Sequence, residues 1–166
     1  CGPTNSMRGA AFLSGIKDGL VADVGGTTLD VGEVQNGFPR PAGTAVSVAD
    51  VQTNFSMPDV ISIGLGGGSI IDREAVTVGP DSVGHRLLEE ALVFGGSVLT
   101  ASDIAVAAGR TQMGVQAPPD MPDLDTLVAA MDQKAADAIA RSRTSSKSMT
   151  VIAVGGGAVL LPETLD

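Results

Sequence analysis

The 166-residue chain has no Trp and no Tyr, and its four Phe bring the aromatic content to only 2%. A core without large rings must be closed by Val, Ile, Leu and Ala packed tightly together, and the 43% apolar content is sufficient for one such core. Cysteine is nearly absent as well. Cys1 stands alone, which excludes an intrachain disulfide and a cysteine-based zinc cluster and suits a reducing, cytoplasmic location. Positive charge is scarce, with 10 Lys and Arg against 19 Asp and Glu and a net charge of -9. Nucleic acid and acidic membrane surfaces are therefore not expected partners, because both are gripped through clustered cations. No apolar run approaches the roughly 18 residues of a membrane span, and no leader pattern opens the chain. A chain that starts at Cys1-Gly2-Pro3 and stops at Leu165-Asp166 reads as a piece of a larger protein.

Glycine, by contrast, is abundant at 22 residues, and its distribution sets the expected architecture. Thr4 or Asn5 can cap a short helix through Met7, Ala10, Ala11 and Ser14. Leu20 to Val24 and Leu29 to Val34 read as a β-hairpin closed by Gly25-Gly26-Thr27-Thr28. A strand is expected near Thr44 to Val48, and another from Val60 to Leu65 runs into Gly66-Gly67-Gly68-Ser69. Asp81 or Ser82 is placed to start a helix with an apolar face of Val83, Leu87, Leu88, Ala91 and Leu92, stopped at Gly95-Gly96. Thr100 and Asp103 resemble a capping box that opens the next helix. Beyond a Pro-rich loop at Gly114 to Pro122, apolar residues from Leu124 to Ile139 keep helical spacing, and Thr150 to Val154 forms a last strand before Gly155-Gly156-Gly157. A hairpin followed by helix–strand pairs predicts an α/β fold, a mixed sheet flanked by helices.

Two of the glycine turns carry chemistry. In Asp23-Val24-Gly25-Gly26-Thr27-Thr28-Leu29-Asp30 the two glycines leave main-chain N–H groups open to a phosphate, and Thr27 and Thr28 add hydroxyls. Asp23 and Asp30 flank this tip as candidate Mg²⁺ ligands, direct or through water, or as groups that orient an attacking water. A plain tight hairpin with solvated acids would show the same octapeptide. In Val151-Ile152-Ala153-Val154-Gly155-Gly156-Gly157-Ala158 a buried strand ends in glycines against which a flat ligand can lie, a pattern also common in α/β turns without ligands. Both glycine loops are expected on one edge of one sheet.

Together, Asp-x-Gly-Gly-x-Thr-x-Asp and a distant Val-Gly-Gly with a nearby Pro162 resemble the second phosphate loop and the adenosine loop of actin-like ATPases. Further segments are similar to hydantoinase/oxoprolinase sequences: Gly2-Pro3-Thr4-Asn5-Ser6-Met7-Arg8-Gly9-Ala10, Thr53-Asn54-Phe55-Ser56-Met57-Pro58-Asp59-Val60, Gly64-Leu65-Gly66-Gly67-Gly68-Ser69 and Gly79-Pro80-Asp81-Ser82-Val83-Gly84. The resemblance covers nearly the whole chain. It implies a ribonuclease H-like lobe of an actin-like ATPase, residues 1–166 forming one nucleotide-binding lobe whose N-terminal partner lobe carries a related loop. It also implies ATP and Mg²⁺ as cofactors and ATP-dependent opening of a small cyclic amide such as hydantoin or 5-oxoproline, with related members serving carboxylases. Asp23, Gly25, Gly26, Thr27, Thr28 and Asp30 map onto the phosphate and Mg²⁺ loop, with Asp23 and Asp30 as catalytic and metal residues. Gly155, Gly156 and Gly157 map onto the adenosine side.

Other readings stay open at this level: a non-catalytic actin-like module that uses nucleotide to set a conformation or assembly, or a small-molecule kinase. An oligomer is also compatible. A dinucleotide fingerprint does not fit Gly64-x-Gly66-x-x-Ser69, which leads into no clear helix, and no Walker loop precedes Lys17, Lys134 or Lys147. The Gly66–Ser69 loop reads equally as a cleft wall or as a close crossing of backbone. His85, the sole histidine, lacks Ser or Cys partners and is expected at the surface or as a cap, and Glu89 and Glu90 as a solvated face.

Overall fold

The computed structural model describes residues 2–43, 47–48, 51–52, 58–117, 120–145 and 148–164. In chain order the first half contains α1 (Gly2–Ser14), β1 (Gly19–Val24), β2 (Leu29–Gln35), β3 (Phe38–Pro39), β4 (Ser47–Val48), β5 (Val51–Gln52) and β6 (Val60–Ile63). The second half contains β7 (Ser69–Asp72), β8 (Thr77–Ser82), the single-turn α2 (Leu87–Glu90), α3 (Ala101–Ala107), α4 (Leu124–Ser142) and β9 (Val151–Val154).

The hydrophobic strand β1 holds the sheet together. It pairs antiparallel with β2, placing Asp23 opposite Asp30, and parallel with β9, placing Asp23 opposite Val154. β6 joins the far side of β2 antiparallel, with Leu29 opposite Ile63, and β3 pairs with the C-terminal end of β2 itself in a short hairpin. The result is the expected mixed sheet with helices on both faces.

Alternation along β1 and β2 divides the core. Leu20, Ala22, Val24, Leu29 and Val31 face α3 and α4, whose Ile104, Ala105, Leu127, Met131, Ala135, Ala138 and Ile139 complete the larger cluster. The α4 contribution recurs every three or four residues, so a single stripe of the helix is buried. Val21 and Val34 face the other way, toward Met7, Ala10 and Ala11 of α1. α1 can approach this closely because Gly32 has no side chain: a Cβ there would lie 2.6 Å from the Met7 terminal methyl.

Several expectations change. α1 already includes Thr4 and Asn5, so neither caps it. No continuous helix runs from Ser82 to Leu92. Asp81 and Ser82 belong to β8, where Ser69 pairs with Ser82, and the chain then continues through a 3-10 turn at Gly84–Arg86, the single turn α2, and a second 3-10 turn at Leu92–Phe94. Strand pairing takes the expected start at Asp81 and Ser82, and Gly84 at φ +58° and extended backbone at Ala91 break the remainder into short helical turns. After β9 the chain makes a 3-10 turn at Ala158–Leu160. Asn36 and Gly37, both with φ in the left-handed region (53° and 79°), make the β2–β3 turn, a hairpin signal absent from the expectations above. Of the strand expected at Thr44 to Val48 only Ser47 and Val48 are described, in β4, and Cys1, Thr53 to Met57 and Lys147 lie outside the described residues.

At the end of the sheet remote from the glycine tips, Glu33 is a buried carboxylate. Burial pushes its pKa up, but hydrogen bonds from Gln35 and Thr144 and the charge of Arg40 outweigh this and hold it below the usual glutamate range. A depressed folded-state pKa means that the stabilisation is fully present above the ordinary glutamate value of about 4.3 and is lost as pH falls through the lower folded value. Glu33→Gln should therefore lower stability at pH 7 and flatten the loss of stability with acid. Urea denaturation at pH 7 and at pH 4 checks this; a variant with the wild-type acid profile would contradict it.

Candidate functional site

The β1–β2 hairpin closes over four residues, with the Gly25 N–H donating to the Thr28 carbonyl at 2.9 Å. Gly25, Gly26 and Thr27 are exposed, whereas the Gly66–Ser69 loop beneath them is buried. Two hydrogen bonds join the two: Gly67 N–H donates to the Gly25 carbonyl at 3.0 Å, and Gly68 N–H to the Gly26 carbonyl at 2.7 Å. The glycines are what permits this. A Cβ on Gly66 would sit 2.4 Å from the Thr27 nitrogen. The loop is thus a close backbone crossing that also reaches the cleft through Gly67.

The third glycine loop arrives from β9. Because β9 runs parallel to β1, Gly155 leaves its strand on the same sheet edge as Gly25. Gly157 N–H donates to the Val24 carbonyl at 2.8 Å, and a Cβ on Gly155 (φ +89°) would meet that same oxygen at 2.3 Å and the Asp23 Oδ1 at 2.7 Å. Three loops distant in sequence therefore meet as bare backbone.

A pocket of about 260 Å³ opens between them. Gly25, Gly26, Gly67, Gly156 and Gly157 form its backbone wall, and Leu87, Met113, Val159 and Leu160 form an apolar wall, with Ser102 at the junction. No charged side chain lines it among the described residues. Among those residues too, the N–H groups of Gly26, Thr27 and Gly156 donate to no other backbone carbonyl. At Gly26 and Gly156 an added Cβ would meet nothing within 4 Å and φ is not positive, so packing gives no reason for glycine at either position.

Of the residues singled out from sequence, Gly25, Gly26, Gly156 and Gly157 line this pocket, and Thr27 and Thr28 sit at the tip beside it. Asp23 faces the other side of the sheet. It lines a separate cavity of about 460 Å³ with Ser6, Gly9 and Ala10 of α1, Ile152, Val154 and Gly155. Asp30, its cross-strand partner, shares that face. Like charges directly opposite one another across a strand pair are mutually unfavourable. Among the described residues no group of three or more His, Cys, Asp or Glu is arranged to hold a metal ion, so a cation here would complete its shell with water and ligand oxygens.

The support behind the pocket comes from residues that the sequence pattern did not mark or marked for another purpose. Ser102, at the start of α3, directs both its N–H (3.0 Å) and its hydroxyl (2.9 Å) to the Gly67 carbonyl. Asp103, fully buried, accepts from the Val93 N–H, the Thr100 N–H and the Thr100 hydroxyl, each at 2.7 Å, so the expected Thr100–Asp103 capping motif is present and also ties down the turn at Val93. Arg110 grips both oxygens of Asp132 and donates to the Leu160 carbonyl at 3.1 Å, fixing the apolar wall. Met113 lies in an irregular loop, where no periodicity marks it. Val159 and Leu160 follow Gly157 and Ala158 as a short apolar run, which is the signal that could have marked them. His85 is exposed and its side chain makes no hydrogen bond among the described residues; Glu90 pairs with Arg86 at 2.8 Å on the surface.

A family model described as hydantoinase/oxoprolinase matches residues 1–156. Among curated proteins, the acetophenone carboxylase gamma subunit of Aromatoleum aromaticum is 33% identical over 115 residues, which cover 65% of this chain and 16% of that subunit. The ATP-dependent caprolactamase from Pseudomonas jessenii shares the fold, with a TM-score of 0.64 at 20% identity over 93% of this chain and 27% of the caprolactamase chain. The chain thus spans well under a third of the length of either protein. No helix among the described residues is long and apolar enough to cross a membrane.

The glycine geometry separates two substitutions of equal size. Gly66→Ala must push the hairpin tip away and should cost about 1–3 kcal/mol. Gly26→Ala meets open space and should change stability by less than about 0.5 kcal/mol. Chemical denaturation of both variants tests the crossing, which would be refuted by equal stabilities.

Proposed function

The chain belongs to the hydantoinase/oxoprolinase family, and from that premise we propose that it supplies the second phosphate loop and the adenosine loop of an ATP-dependent enzyme that opens a small cyclic amide. It acts as one lobe, residues 1–166, beside an N-terminal partner lobe. The observation that carries this reading is the exposed tip at Gly26 and Thr27, whose N–H groups donate to no backbone carbonyl among the described residues, beside a pocket with one backbone wall and one apolar wall. Phosphate oxygens accept from backbone N–H groups, and a purine ring stacks on apolar side chains.

In this reading Gly25, Gly26, Thr27 and Thr28 hold phosphate oxygens, and Gly155, Gly156 and Gly157 admit the adenosine between themselves and Val159 and Leu160. Asp23 and Asp30 hold Mg²⁺, directly or through its waters, and orient an attacking water. Their repulsion across the strand pair favours a bound cation. Among the described residues no Lys or Arg lines the pocket, which agrees with recognition by main-chain dipoles and a metal instead of by cationic side chains. When bound, ATP supplies the phosphoryl group that activates the amide oxygen for hydrolysis. Closure by the second lobe excludes water from the cleft, and one lobe alone holds ATP weakly.

A second reading rests on the 33% identity to a carboxylase subunit: the same lobe in an ATP-dependent carboxylase. Phosphate release by the full-length protein separates the two, since a cyclic amide such as 5-oxoproline should stimulate it in the first case and a ketone with bicarbonate in the second.

Asp23→Asn and Asp30→Asn in the full-length protein should each reduce Mg-ATP turnover by about 10–100-fold. Gly26→Ala should weaken Mg-ATP binding while leaving stability intact. Calorimetry and phosphate-release assays decide the matter: unimpaired turnover in both Asp variants, with full Mg-ATP affinity in Gly26→Ala, would defeat the assignment.

A further inference from the structure

We propose that Ser102 is a positioning residue that sets the direction of the phosphate-binding N–H groups through the Gly66–Ser69 loop, a role that rests on the nucleotide reading above. Peptide groups are planar and trans, so the N–H of one residue points opposite to the carbonyl of the residue before it. The Gly25 and Gly26 carbonyls are both tied down, to the N–H groups of Gly67 and Gly68. Their peptide partners, the N–H groups of Gly26 and Thr27, must therefore point away from the buried loop and outward from the tip. The orientation of the donors is decided beneath them.

Gly67 is oriented in turn by Ser102. The Gly67 carbonyl receives two hydrogen bonds from this one residue, from its N–H and its hydroxyl, which fixes on α3 the Gly67–Gly68 peptide, the one whose N–H donates to the Gly26 carbonyl. α3 is itself anchored by the buried Asp103 carboxylate, which reaches Val93 and Thr100. On the other flank the Ser69 hydroxyl, fully buried, accepts the Gly66 N–H at 2.9 Å. Two buried serines thus hold a run of three glycines that would otherwise have much backbone freedom. A glycine loop soft enough to slide under the tip would leave the donors above it free to turn. Preorganised donors cost a ligand less to engage than mobile ones.

The role makes a distinction that general loss of stability does not. Ser102→Ala in the full-length protein should raise the dissociation constant for Mg-ATP about fivefold, the scale of one hydrogen bond. Adenosine, which lacks phosphate, should bind within about twofold of wild type, because no phosphate contact is lost. Deuterium exchange of a peptide spanning residues 64–70, measured without nucleotide, should quicken. Ser69→Ala should behave in the same way, and it serves if Ser102→Ala does not fold. Thr144→Val, which breaks a hydrogen bond to Glu33 at the far end of the sheet, should leave both affinities unchanged.

Unchanged Mg-ATP affinity in both serine variants would overturn the proposal while leaving the nucleotide reading in place. Weakened Mg-ATP binding without faster exchange would also overturn it, because Ser102 would then touch the ligand instead of positioning the loop. A wild-type protein that binds neither Mg-ATP nor adenosine would remove the nucleotide reading, and this role with it.

Discussion

Three carbonyl oxygens in succession, those of Val24, Gly25 and Gly26, are each met by the N–H of a glycine from a distant part of the chain: Gly157, Gly67 and Gly68. This backbone-on-backbone contact is the constraint on which the site depends. It needs parallel pairing of β1 and β9 to bring the Gly155–Gly157 turn to the tip, and it needs β6 beside β2 to deliver the Gly66–Ser69 loop. It also excludes side chains where the loops cross. A Cβ at Gly66, Gly155 or Gly157 would fall within 2.9 Å of hairpin backbone atoms. The packed core of small aliphatic residues serves the same end, since strands and helices without large rings hold the loops in close register.

The electrostatics derive from that choice of material. A chain with net charge -9 and no described cation in the glycine-lined pocket attracts an anion only through partial charges on N–H groups and through a bridging metal. The Asp23–Asp30 pair, across the sheet from the apolar wall, concentrates negative charge at one place on the same edge. The proposed phosphate cradle and the carboxylate pair are consequently separated by a single strand layer.

Much of this arrangement could be read in advance. Two short apolar runs, Leu20 to Val24 and Leu29 to Val34, on either side of Gly25-Gly26-Thr27-Thr28 indicate a hairpin, and the helical stripe from Leu127 to Ile139 commits α4 to one buried face. The family resemblance carried the glycine motifs from isolated turns to parts of one site. Local pattern failed between Ser82 and Leu92, where apolar spacing suggested a helix. Pairing of Ser69 with Ser82 claims only the expected start of that helix for a strand, and Gly84 and the extended Ala91 break the remainder into short turns; a local pattern contains no information about a partner so much earlier in the chain. Thr4 and Asn5 failed as caps for a smaller reason, because helix ends shift when packing extends them.

Strand period, turn chemistry and the absence of Cβ atoms are local properties, so the amino-acid sequence was enough to establish the mixed α/β class, the hairpin tip and the two glycine turns. It was the tertiary structure that placed the Gly66–Ser69 loop beneath the tip, turned Asp23 and Asp30 toward α1 while the pocket opens on the opposite side, and brought Leu87, Ser102 and Met113 into the wall. Those outcomes depend on which strands pair and in which direction. Pairing is set by the burial of whole faces, a property that no single segment possesses.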